Sequence, residues 1–292
     1  MTDVASAADL ASGKGHTDEN FPVASHLIAA KHRPPILAFY RVARLADDVA
    51  DHPSASAKEK LARLADIEAS LMGRSAASPE AVALRQVLAE RALSPLHMLD
   101  LLEAFRRDVS KRRYETWDEL MDYCRYSAAP VGRFVLDVHG EDRAIWPASD
   151  ALCAALQVIN HLQDCKKDYR ELDRVYVPKD ALAAFDARIE MIDAEGAHAA
   201  LLAAIRALAW RTQELLRAAR PFAQQIRDFR LAMEVGAIQR LAESLTRRLT
   251  TRDPLSQRVH HRRWEAAGVG VLGVGRAIGE RIGSRNPRKA GP

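Results

Sequence analysis

Residues 151–162 are so apolar that a helix built from them can hardly lie on a protein surface, yet a polar line runs through the segment Pro147 to Asp168 that contains them. Gln157, Asn160, Asp164 and Asp168 fall at i, i+3, i+7 and i+11, which is one face of a helix with 3.6 residues per turn. Amides and carboxylates on a helix otherwise suited to a core must face a cavity or an ion, because burial without a partner is unfavourable. The chain is thereby committed to a fold with a polar interior surface.

A second segment, Pro35 to Asp51, has the same construction. Tyr40, Arg44, Asp47 and Asp51 are spaced i, i+4, i+7 and i+11, and Asp48 sits beside the stripe. Carboxylates four residues apart on a helix repel each other, so stability alone favours neither pair. A cation would relieve both. Oxygen ligands without histidine or cysteine select hard ions, and magnesium takes one or two carboxylates together with water and phosphate oxygens. One D-x-x-x-D pair is ordinarily a solvated face; two such pairs, each continuing a polar stripe on a helix with apolar flanks, leave open either that or a metal clamp for a diphosphate.

The rest of the chain reads as helix. Alanine, leucine and arginine dominate its 292 residues, and apolar residues recur at helical spacing, as in Leu61, Leu64, Ile67, Leu71 and in Leu201, Ile205, Leu208, Leu215. Ser56 with Glu59 forms a capping box, Ser94-Pro95 reads as an N-cap followed by proline at N1, and Pro147 opens a long helix. Breaks are expected near Pro34-Pro35, His52-Pro53, Ser75 to Pro79, Arg174 to Pro178 and Arg220-Pro221. No run alternates as a strand does, so an all-α bundle of roughly eight to ten helices around a central cavity is expected.

Residues 1–18 read as a flexible arm, 19–263 as the helical domain and 264–292 as a C-terminal tail. The start has neither a signal peptide nor a spanning helix. Three widely spaced cysteines, Cys124, Cys153 and Cys165, argue against a disulfide framework and for a reducing cytoplasm. A net charge of +4 is too small to imply nucleic acid, and no aromatic stacking platform accompanies the arginines after Arg247. Ala266 to Gly275 is apolar but too short to span a bilayer; with Trp264, Arg262, Arg263 and Arg276 it reads as a membrane-surface segment, peripheral on the inner membrane, or else as a helix packed on the bundle or a flexible glycine-rich tail.

Asp47 to Asp51 after F-Y-R-V-A-R, Gln157 to Tyr169, and R-V-Y-V-P at Arg174 to Pro178 resemble the motifs of the squalene and phytoene synthase family, and the resemblance runs from about Asn20 to about Val259. Within it the hydroxysqualene synthases of bacterial hopanoid biosynthesis are more similar, through Glu19 to Ser25, Leu101 to Asp108, Tyr123 to Arg133 and Asp253 to Leu255. The resemblance implies that Asp47, Asp51, Asp164 and Asp168 hold Mg2+ against a diphosphate. It also implies that Tyr40, Arg44, Gln157 and Asn160 line the same site, with Arg174 and Tyr176 in a basic loop beside it.

Gln163 and Lys167 depart from the commoner family pattern, and leave Lys166, Lys167 and Arg170 as candidates for the leaving diphosphate beside a solvated role. The implied reaction ionises presqualene diphosphate and quenches the cation with water; condensation of two farnesyl diphosphates is the alternative. No G-x-G-x-x-G motif follows a strand, and no NADPH is expected. Phe21, Phe39, Phe134 and Ala128-Ala129 are candidates for the apolar pocket. A helical scaffold or nucleic-acid-binding protein is the non-enzyme alternative, and the sequence sets no oligomeric state.

Overall fold

The structure is a computed structural model that describes residues 27–285; the Glu19 to Ser25 motif, Phe21 and the N-terminal arm lie outside them. The helices are α1 (Arg33–Asp51), α2 (Ala57–Leu71), α3 (Pro79–Glu90), α4 (Leu96–Ser110), α5 (Trp117–Ser127), α6 (Ala129–His139), α7 (Trp146–Gln163), α8 (Cys165–Leu172), α9 (Lys179–Ala183), α10 (Ala199–Ala219), α11 (Phe222–Gln225), α12 (Phe229–Leu249) and α13 (Arg263–Arg285). Among the described residues there is no strand, only an isolated bridge between Arg113 and Val175.

The thirteen α-helices among the described residues exceed the eight to ten expected. The excess has two sources. Single turns such as α9 and α11 are too short for a hydrophobic period to show, and the helix read as continuous from Pro147 to Asp168 is interrupted at Asp164. There the backbone leaves helical geometry (φ −103°, ψ 9°), although the Asp164 amide still donates to the Asn160 carbonyl and Asp168 to that of Asp164. Pro34-Pro35 is not a break but lies in the first turn of α1, where a missing N–H costs nothing. At α4, Pro95 is itself the N-cap, and Ser94 Oγ accepts from the Leu96 amide. Leu61, read as apolar-face, is exposed. The Ser56–Glu59 capping box is formed as expected.

Two apolar clusters organise these elements. One joins α1 to α4 and α6 through residues such as Phe39, Leu64, Leu84, Leu102 and Phe134. The other joins α5, α7, α10 and α12 through Tyr123, Leu152, Ile159, Leu208 and Leu245. The cavity opens between them, bounded by α1 and α4 on one side and by α5, α6, α7 and α12 on the other. α13 lies along α12 at very close approach: a Cβ on Gly273 would meet the Gly236 carbonyl oxygen at 2.4 Å. Only glycines allow that crossing.

Candidate active site

All ten residues of the two stripes and the basic loop line one cavity of about 600 Å3: Tyr40, Arg44, Asp47 and Asp51 from α1, Gln157, Asn160 and Asp164 from α7, Asp168 from α8, and Arg174 and Tyr176 from the loop that follows. That volume suits a small-molecule ligand, for which about 300 to 1,000 Å3 is usual. The wall grades from apolar to acidic in the same order along both long helices, from Ile36 and Phe39 to Asp47 and Asp51 on α1, and from Leu152 and Leu156 to Asn160 and Asp164 on α7. From Ile36 to Asp51 the rise per residue spans roughly 22 Å. One end can take a diphosphate and the other a hydrocarbon chain.

The carboxylates are held under electrostatic stress. Burial, followed by the adjacent Asp51 carboxylate, pushes Asp47 up to about 7 although Arg44 donates to it at 2.9 Å. Its side chain is 37% exposed, but towards the cavity, where the walls still limit solvation. Asp164 is likewise raised by burial and by Asp168, with His260 opposing from 3.6 Å. Four carboxylates from three helices, with oxygen donors only, are the donor set a hard divalent cation requires, and such a cation would remove the repulsion that raises Asp47. The residues present therefore fit magnesium.

Arg174 reaches the site because α8 ends on Asp173 in left-handed geometry (φ 52°), and Asp173 itself accepts from Arg112 and Arg113. The turn redirects the chain inward. Arg174 then donates to Asp51 Oδ1 at 2.6 Å, to the Ala50 carbonyl at 3.3 Å and to the Asp108 carbonyl at 3.2 Å. Its side chain is only 8% exposed, so its charge is committed to the end of α1. Tyr176 stacks on His161 with ring centroids 3.5 Å apart and donates to Asp108.

Several lining residues were not singled out from sequence. Asp108 accepts from Tyr123 at 2.8 Å and from Tyr176 at 3.3 Å, and burial pushes its carboxyl up to about 6 against the pull of Arg174. His161 Nε2 accepts from the Gln157 amide at 3.1 Å, which leaves its protonated Nδ1 facing Asp168 at 3.9 Å. Glu234, only 4% exposed, enters the apolar part of the wall from α12. Asp108 and Tyr123 had a signal, since they end and begin two of the quoted motifs; His161 and Glu234 look like ordinary helical residues.

Phe39 and Phe134 line the cavity, stacked at 4.2 Å. Ala128 and Ala129 do not; they are buried at the α5–α6 junction, where Ser127 and Val131 take the wall positions instead. Lys166 and Arg170 pair with Glu195 and Asp193 at the surface, and Gln163 is buried away from the cavity wall.

Fold and site together define a helical enzyme of the isoprenoid synthase type. The family model for squalene/phytoene synthase matches residues 14–265. The chain is 57% identical over 268 residues to a hydroxysqualene synthase of Zymomonas mobilis, covering 91% of this chain and 90% of that one, and 57% identical over 255 residues to one of Rhodopseudomonas palustris, covering 87% of each. A crystal structure of squalene synthase HpnC from Alicyclobacillus acidocaldarius superposes with a TM-score of 0.70 at 32% identity, over 82% of this chain and 90% of that one. The chain belongs to the squalene/phytoene synthase family.

Proposed function

We propose that this protein is a hydroxysqualene synthase: it ionises presqualene diphosphate and captures the rearranged cation with water, in the supply of triterpenoid precursors. One observation supports this above the others. The two aspartate stripes share a cavity whose remaining wall is apolar and long enough for an isoprenoid chain, in a chain 57% identical to curated hydroxysqualene synthases.

Asp47, Asp51, Asp164 and Asp168 would hold magnesium, which when bound supplies positive charge for the leaving diphosphate. The chain's own residues do the rest. Arg174 fixes Asp51 and keeps a guanidinium at the acidic end. The carbon–oxygen bond breaks with its electron pair on the diphosphate. The cation left behind faces Phe39, Phe105 and Phe134, whose rings stabilise positive charge without acting as nucleophiles and keep bulk water out until rearrangement is complete. Water then forms the new carbon–oxygen bond and loses a proton.

Purified protein, presqualene diphosphate and magnesium in 18O-water should give labelled hydroxysqualene at a rate indifferent to NADPH. Squalene made only when NADPH is supplied would overturn the water-quench assignment and leave the metal site standing. Turnover of farnesyl diphosphate to presqualene diphosphate as the sole activity would place the protein at the condensation step instead.

We further propose that α13 rests on the membrane surface. Its glycine side packs on α12, while Val271 and Leu272 are 70% and 63% exposed and Arg276 is near them on the same helix. No helix among the described residues is long and apolar enough to cross a membrane. The doubly substituted Val271→Asp, Leu272→Asp protein should lose binding to anionic liposomes, and unchanged binding would sink the idea.

A further inference from the structure

His32, His139 and Asp228 meet beyond the apolar end of the cavity, far along α1 from the aspartates. They come from three elements: His32 immediately precedes α1, His139 is the last residue of α6, and Asp228 caps α12 by accepting from the Leu231 amide at 2.9 Å. One ring nitrogen of each histidine and one oxygen of Asp228 lie within 4.8 Å of one another. The two imidazoles stack with centroids 4.1 Å apart and planes inclined by 30°.

The tautomer of His139 is that of a ligand. His139 Nδ1 lies 2.8 Å from the Val135 carbonyl, which can only accept, so Nδ1 carries the proton and Nε2 presents its lone pair. That Nε2 and His32 Nδ1 are both buried with no hydrogen-bond partner among the described residues. His32 is only 8% exposed, so water from the surface cannot readily satisfy its ring. Two buried ring nitrogens without partners beside a carboxylate are unfavourable unless something satisfies them.

We infer that His32, His139 and Asp228 form a binding site for a divalent transition-metal ion of the zinc type, separate from the magnesium-type aspartate cluster. Two imidazoles and one carboxylate suit zinc and are poor ligands for magnesium. Bonds of about 2.0 to 2.1 Å place tetrahedral ligand atoms about 3.4 Å apart, so the three groups must close inward. The stacked rings do not yet aim both lone pairs at one point, so binding requires the half-buried His139 to rotate out of the stack about its hydrogen bond to Val135 and Asp228 to offer the oxygen not used for the cap. Ile28, Ile36, Val135 and Leu231 line the cavity and each lies within four residues of a ligand. The ion would thus tie α1, α6 and α12 together behind the hydrocarbon pocket, a structural role.

The test is metal analysis of the full chain dialysed against Zn2+ in saturating Mg2+, which occupies the aspartates. Wild type should retain one zinc more than His139→Gln, show a melting midpoint several degrees higher with Zn2+ than without, and give the visible bands of a tetrahedral centre when Co2+ replaces zinc. His139→Gln should stay helical by circular dichroism and lose all three signals. If it does not fold, Asp228→Asn, which keeps the cap, should bind zinc at least tenfold more weakly. Equal zinc in wild type and variant, or no midpoint shift in wild type, would mean that water alone fills the site and overturns the proposal.

Discussion

Asp47 and Asp164 are strained in the folded protein, and the strain separates function from stability. Replacing either by asparagine relieves repulsion, so Asp47→Asn and Asp164→Asn should keep the helical fold and a metal-free melting midpoint at or above wild type. Turnover should fall by about 100- to 1,000-fold or more. A variant that unfolds while its folded fraction keeps full activity would make these aspartates structural. Asp108 gives a pH signature. Its pKa rises from 3.8 in the reference state to about 6 when folded, so the folded protein holds that proton more tightly. The resulting stabilisation is complete below the unfolded value and lost as pH rises through about 6. The midpoint of metal-free Asp108→Asn enzyme should therefore climb less than that of wild type as pH falls from about 6 towards about 4, while the climb that Asp47, pushed up to about 7, begins at higher pH should remain.

At the scale of elements, the α12–α13 crossing depends on two residues without side chains. Gly273→Leu would drive a side chain into Gly236 and Ala237, where even a Cβ comes within 2.8 Å of the Ala237 Cα. Overpacking of this kind costs about 1 to 3 kcal/mol. α13 is seated on α12 through this crossing, and the pair of Arg248 with Glu265 at 3.2 Å holds its start. The substitution should therefore free α13 for early cleavage in limited proteolysis while the helices around the cavity stay protected. Early cleavage within α7 or α10 instead would show that α13 supports the whole bundle.

The whole molecule behaves as two apolar clusters with a shared cavity between them, and a ligand bound there should join them. Magnesium with inorganic diphosphate at a hundredfold excess over its dissociation constant should stabilise the fold by about 2.7 kcal/mol. Neither component alone should do as much, and Asp51→Asn should abolish the synergy in a thermal-shift measurement. Equal shifts in wild type and Asp51→Asn would place diphosphate binding elsewhere.

The helical class, the capping box at Ser56 and the eight stripe residues could be read from order along the chain, because each is a local relation: a period of 3.6, a spacing of three, a polar residue in an apolar run; Arg174 and Tyr176 came only through the family resemblance. The interruption at Asp164 could not, since hydrogen bonding across it remains helical and the stripe keeps its spacing on either side. Nor could His161 and Glu234 be assigned to the wall, or Ala128 and Ala129 excluded from it. Which faces of α4, α5 and α12 turn towards the cavity beside α1 depends on contacts between residues about 45 to more than 200 positions apart. His32, His139 and Asp228 make the point most sharply. They are separated by 107 and 89 positions, share no motif, and become neighbours only because α1, α6 and α12 converge where the bundle closes. A single sequence carries local periodicity directly, but it carries that convergence only through the summed packing of every core residue.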